Sequence, residues 1–294
     1  MSKPIPFFIT NAFTNDLYKG NPAAVVFLDH DLPFSTLLEI AQNFNQPITT
    51  FISPSSPSTT GDVRSKNFRI RWLTSSNEIA LCGHGTLASA GTIFSVQDLT
   101  GNLEILNFET TDGRVISAQK VENQVEISLT SATIEEPDDE TQERIRGIIR
   151  RGLKKDDTLV RFIGIGKKGF EKFLLVEIDV QDDLANREID HSEFLKTGYM
   201  TNIVTSRPSF PGSSFVSRMF APSVNVNEDH VCGSAHCMLV PYWTQKLGVS
   251  GNGFMRAKQV GPRGGELDVV WLEDEERVLL RGEYRVVMKG ELWV

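Results

Sequence analysis

Glu78-Ile79-Ala80-Leu81-Cys82-Gly83-His84-Gly85 and, 150 positions later, Glu228-Asp229-His230-Val231-Cys232-Gly233-Ser234-Ala235 are two copies of one frame. Each runs Glu, two variable residues, an apolar residue, Cys, Gly, a polar residue and a small or apolar one. The copies lie in opposite halves of the chain, so two similar lobes are expected. Each Cys-Gly pair leads into a run without charge, Thr86 to Phe94 in the first half and Ala235 to Trp243 in the second. A helix with no charged face is expected to be wholly buried. Around these runs lie strand-like stretches: Phe7–Thr10, Ala23–Leu28, Arg69–Leu73 and the alternating segment Leu103–Leu129, then Phe173–Ile178, Phe215–Phe220, Leu267–Trp271 and Tyr284–Met288. Pro33 to Asn43 has helical spacing, with Leu37, Leu38, Ile40 and Ala41 on one face. Ser53–Gly61 and Pro208–Ser213 read as loops. The pattern is α+β: two lobes, each a curled sheet around one buried helix.

The acidic segment Glu135-Glu136-Pro137-Asp138-Asp139-Glu140 marks a break and suits a helix N-terminus. The expected division is an N-terminal lobe over 1–130 and a C-terminal lobe over 131–283. The last strand, 284–294, is available to complete the first lobe. Of 294 residues, 40% are hydrophobic and 23% charged, which fits an ordinary globular protein of two domains. The formal net charge of −8 and the lack of a basic stripe speak against nucleic acid as a partner. No apolar run approaches the roughly 20 residues of a membrane span, and no signal-peptide core follows Met1. Three cysteines are too few for a disulfide scaffold. A cytoplasmic protein with reduced thiols is the expectation.

Several stretches carry a family resemblance. Asn11-Ala12-Phe13-Thr14 and Gly20-Asn21-Pro22-Ala23-Ala24-Val25 match an opening motif, with Asn11 where Asp is usual. Arg71-Trp72-Leu73-Thr74 and Leu81-Cys82-Gly83-His84-Gly85-Thr86-Leu87-Ala88 match a central motif. Glu228-Asp229, Gly233-Ser234-Ala235-His236-Cys237 and Pro241-Tyr242-Trp243 match a C-terminal motif. Together they resemble the phenazine biosynthesis PhzF-like family over nearly the whole chain. The resemblance implies the diaminopimelate epimerase fold: two pseudo-symmetric lobes, each an antiparallel barrel-like sheet around a central helix, with the site in the cleft. It also implies substrate contacts from Asn21, His84 and Asp229. Two departures stand out. Ile48, in Asn45-Gln46-Pro47-Ile48-Thr49-Thr50-Phe51, occupies the position of the family's acid/base Glu and carries no proton. Cys232 replaces a usual Thr, and Cys-Gly at both helix starts is similar to diaminopimelate epimerases and proline racemases, whose paired thiols are the two bases.

The residues point the same way. Cys82 and Cys232 each precede Gly at an expected helix start, where the dipole favours thiolate and lowers the thiol pKa. Gly83 and Gly233 allow close backbone approach. The N–H groups of Gly83, His84, Gly233 and Ser234 are then placed to bind a carboxylate and the enolate-like charge formed when an α-proton leaves. Asn21, His84 and Asp229 also have bland readings, as a turn residue and as helix caps. Cys237 and His236 read as core and His30 as surface loop, while His191 and His230 lack metal-ligand spacing. Gly164-x-Gly166-x-x-Gly169 alone is a weak nucleotide signal. The expected activity is a cofactor-independent racemase or epimerase acting at an amino-acid α-carbon, with Cys82 and Cys232 as acid and base. A PhzF-type proton shift through His84 and Asp229 is the enzyme alternative, and a binding protein marked by Ile48 is the other. The expected partner is a small-molecule carboxylate, with no metal, nucleic acid or membrane. A homodimer is the candidate assembly.

Overall fold

The computed structural model describes residues 4–55, 64–96, 103–250 and 252–294. Of the loop expected over Ser53–Gly61, residues 56–61 lie outside the described residues. The chain divides into two compact units, Met1–Leu129 with Leu280–Val294, and Thr130–Leu279.

The first unit contains β1 (Ile5–Ala12), β2 (Asn21–Phe27), α1 (Phe34–Phe44), β3 (Ile48–Pro54), β4 (Ser65–Leu73), β5 (Glu78–Ile79), α2 (Gly83–Ser95), β6 (Ile105–Glu109), β7 (Val115–Val121) and β8 (Gln124–Thr130). The C-terminal strand Arg277–Leu292 joins it. β1 runs antiparallel to β2, β2 parallel to β3, β3 antiparallel to β4, and β4 parallel to β6. β6, β7 and β8 form a meander, and the C-terminal strand pairs with both β8 and β1. These pairings close a ring of eight strands. The expected sheet was antiparallel; the observed one is mixed. The reason is that α1 and α2 are crossovers, and a helix crossover returns the chain parallel to the strand it left.

The two helices take opposite faces of β3, whose side chains alternate. Phe51 packs outward with Leu37, Ile40 and Ala41 of α1. The Thr50 hydroxyl points the other way and accepts a 2.9 Å hydrogen bond from Ser89 of α2. α2 is buried from Gly83 to Phe94. Its hydroxyls tolerate this because they bond back one turn, Ser89 to the Gly85 carbonyl at 2.7 Å and Thr92 to that of Ala88 at 2.7 Å. Gly91 is obligatory there, since a Cβ would run into the Tyr284 ring.

The second unit contains β9 (Ile134–Glu135), α3 (Asp139–Gly152), β10 (Val160–Gly166), β11 (Phe173–Ile178), β12 (Thr201–Ser206), β13 (Phe215–Ala221), β14 (Val226–Asp229), α4 (Gly233–Leu247), β15 (Phe254–Gln259) and β16 (Gly265–Leu272). Its pairings repeat those of the first unit strand for strand. β10 is antiparallel to β11, β11 parallel to β12, β12 antiparallel to β13, β13 parallel to β15, and β15 antiparallel to β16. Short 3-10 turns over 180–197 replace α1, while α3 is an addition before β10. Asp138 caps α3 by accepting from the Thr141 N–H at 2.8 Å, and Asp139 and Glu140 fill its first turn. α4 is buried over most of its length, with the Trp243 ring stacked on Phe215. Pro241 inside α4 cannot donate to the Cys237 carbonyl, and the Ala132 N–H takes that acceptor at 2.9 Å. Among the described residues no helix is long and apolar enough to cross a membrane.

Candidate active site

In the first unit the register brings one rim of the sheet to the start of α2. β2 begins at Asn21 and β3 at Ile48, while β4 ends at Leu73, which pairs with Thr49 and Glu78. After the turn Thr74–Asn77 the chain returns along β5 and enters α2 three residues later. Arg71 fastens this return, gripping Glu78 with two hydrogen bonds of 2.9 and 2.6 Å. Cys82 is itself the N-cap, with extended backbone, and its sulfur accepts the Gly85 N–H at 3.4 Å. His84 Nδ1 lies 3.4 Å from the same sulfur. The Cys82 carbonyl receives both the Thr86 N–H and the Thr86 hydroxyl. A Cβ on Gly85 would stand 2.9 Å from Thr50 and Trp72 and 3.2 Å from the Cys82 sulfur, so only glycine lets the strands close on the thiol.

The second unit builds the same corner with other side chains. β13 hands over to β14, and Arg218 grips Glu228 with two bonds of 2.7 Å. Cys232 again caps its helix, with extended backbone. Its carbonyl accepts His236 Nδ1–H at 2.8 Å, the place Thr86 fills in the first unit. Its sulfur lies 3.2 Å from the Ser234 hydroxyl. Gln259 ties the corner from β15, accepting the Cys232 N–H at 2.9 Å and donating to the Asp229 carbonyl at 2.5 Å.

The electrostatics depart from expectation. A helix start was expected to lower both thiol pKa values. Burial pushes the Cys232 thiol well above the usual range, and the neighbouring Asp229 charge adds to the rise. The Ser234 hydroxyl and the Ala235 N–H favour thiolate but are outweighed. Burial also holds His236 neutral, down to about 4, and pushes Cys237 up to about 12. Cys237 is thus a core residue, and all three cysteines are free.

Cys82, Gly83 and His84 therefore gather at one buried helix start and Cys232, Gly233, Ser234 and Asp229 at the other; only Ser234 and Asp229 are partly exposed. Neither His84 nor Asp229 caps a helix, because the cysteines do. Asn21 is fully buried at the rim of the first unit. Ile48 is buried at the start of β3, on the Thr50 face, and supplies no titratable group. Sequence reasoning missed Arg71, Arg218, Gln259 and the carbonyl-binding Thr86 and His236. The only advance signal was an Arg in each strand that precedes the repeated Glu. No cluster of metal-ligating side chains occurs among the described residues.

The phenazine biosynthesis-like protein family, PhzC-PhzF, matches residues 10–290. The chain belongs to that family. It is 34% identical to the human phenazine biosynthesis-like domain-containing protein, over 98% of this chain and 99% of that one. It is 32% identical to an uncharacterized isomerase of Halalkalibacterium halodurans, over 98% of each. A crystal structure of a PhzF-family phenazine biosynthesis protein from Enterococcus faecalis superposes with a TM-score of 0.80 at 30% identity, covering 99% of this chain and all of that one.

Proposed function

We propose that this chain, an isomerase of the phenazine biosynthesis-like family, racemises or epimerises the α-carbon of an amino acid or related carboxylic acid. Cys82 and Cys232 act as base and acid on opposite faces of that carbon. The observation that carries this reading is the duplication: two free thiols, each the N-cap of a buried helix, at the same topological place in two units. Ile48 supports it, since the position of the family's carboxylic acid holds an aliphatic side chain.

The different surroundings assign the roles. The Cys82 sulfur accepts an N–H and lies against an imidazole, contacts of the kind that stabilise a thiolate. Cys82 takes the α-proton as base. Cys232, buried beside Asp229, keeps its proton at neutral pH and delivers it to the other face. The electron pair left on carbon is held as an enolate of the substrate carboxylate. The N–H groups of Gly83 and His84, and of Gly233 and Ser234, stand at the two helix starts and are assigned that charge. After one turnover Cys82 carries the proton and Cys232 is the thiolate, which is the protonation state for the reverse reaction. Asn21 orients the substrate from the rim.

One observation favours a second reading. His84 and Asp229 both border a thiol, so a PhzF-type proton shift can use the imidazole and the carboxylate instead. A polarimetric screen of L-amino acids separates the two. The two-thiol reading predicts loss of optical activity with at least one substrate, and a fall of orders of magnitude in Cys82→Ser and in Cys232→Ser with the fold intact. A Cys232→Ser enzyme with full activity would remove the reading.

A further inference from the structure

The repeated frame begins with Glu in both copies, and the two-thiol reaction gives that residue no role. Glu78 and Glu228 meet an arginine of the preceding long strand in the same two-point grip, Arg71 in β4 and Arg218 in β13. The two arginines hold matching places, since Arg71 pairs with Phe51 of β3 and Arg218 with Val204 of β12. Each grip joins the strand to the short returning strand, and each glutamate lies four residues before its cysteine. β5 is only two residues long and β14 four, so few backbone hydrogen bonds fix either. A planar guanidinium gripping a carboxylate at two points sets direction as well as distance.

We propose that Arg71–Glu78 and Arg218–Glu228 are positioning clamps, one for each thiol, that hold the returning strand so that Cys82 and Cys232 stay seated at their helix starts. The proposal deepens the two-thiol reading and rests on it for its catalytic consequence. The clamps touch no reacting atom and act through the strand. In the second unit the clamp also fixes Asp229, the next residue, whose charge bears on Cys232. That clamp is the more enclosed. Its side chains are 6% and 10% exposed, against 28% and 24% in the first unit. Arg218 further donates to the carbonyls of Leu184 and Arg187. The second clamp should therefore be the more sensitive of the two.

Glu78→Gln and Glu228→Gln keep the size of the side chain and remove the charge. The test follows the iodoacetamide alkylation rate of each cysteine by mass spectrometry, across pH, together with kcat and KM. Glu228→Gln should change the Cys232 rate tenfold or more and leave Cys82 unchanged; Glu78→Gln should do the converse. Each variant should lower kcat more than it raises KM. Equal change at both thiols in each variant, or no change at either, would overturn the proposal. If Glu228→Gln does not fold, Glu78→Gln and Arg71→Lys decide, because their clamp is partly exposed. An unchanged Cys82 rate in folded Glu78→Gln then sinks it. Local response of the thiols in an enzyme that inverts no amino acid would keep the clamps and remove the two-thiol reaction.

Discussion

The starts of α2 and α4 share a backbone and differ in chemistry. Both follow a long strand, a turn and a short return strand held by an Arg–Glu grip, and both make cysteine the N-cap. The sulfur in the first unit faces an imidazole and accepts an N–H, while the sulfur in the second lies near a carboxylate. A duplicated scaffold has thus kept its geometry and changed its company. In the proposed two-thiol reaction the two bases need opposite protonation at rest, and unlike surroundings are a direct way to give it.

The widest separation should appear in thiol reactivity. Each unit of thiol pKa is about tenfold in thiolate at a given pH. Burial and Asp229 hold Cys232 protonated, so near neutral pH its alkylation should trail that of Cys82. The gap should narrow as pH rises. Asp229→Asn should accelerate Cys232 and leave Cys82 alone. Equal rates in the wild-type protein at neutral pH would erase the contrast.

A smaller effect concerns the carbonyl anchors. Thr86 does not titrate, whereas His236 is held neutral by burial, its pKa pushed down to about 4 from an ordinary 6.5. The unfolded chain therefore binds more protons between those values. Stability contributed by neutral His236 is present above pH 6.5 and is lost as pH falls towards 4, by about 3 kcal/mol. His236→Thr should make the second corner resemble the first and flatten that acid limb in denaturant titrations. An unchanged slope between pH 6.5 and 4 would show that His236 is not held neutral.

What could be read from the sequence follows from range. The buried helices were legible because Thr86–Phe94 and Ala235–Trp243 show an uncharged run on every face. The grouping of Cys82 with His84, and of Cys232 with Ser234, was legible because those residues are sequence neighbours. Parallel pairing was not, because it depends on α1 and α2 crossing between neighbouring strands, which alternation alone does not reveal. The clamps were hidden because an arginine in an alternating strand reads as a solvent-facing residue. The raised Cys232 pKa was hidden because the helix dipole can be read from position, while burial and the reach of Asp229 cannot. Gln259 lies 27 residues from the cysteine whose N–H it accepts and left no local mark.

The central claim is that two thiols share one carbon. The direct measurement runs the reaction in deuterium oxide and weighs the separated stereoisomers by mass spectrometry at early times. The account predicts α-deuterium in the product from the first turnovers, because Cys232 delivers a solvent-derived hydrogen. The remaining substrate should stay nearly unlabelled, since Cys82 returns to it the hydrogen it removed. A product that keeps the substrate's own hydrogen would show a single base working on both faces and would contradict the assignment of Cys82 and Cys232.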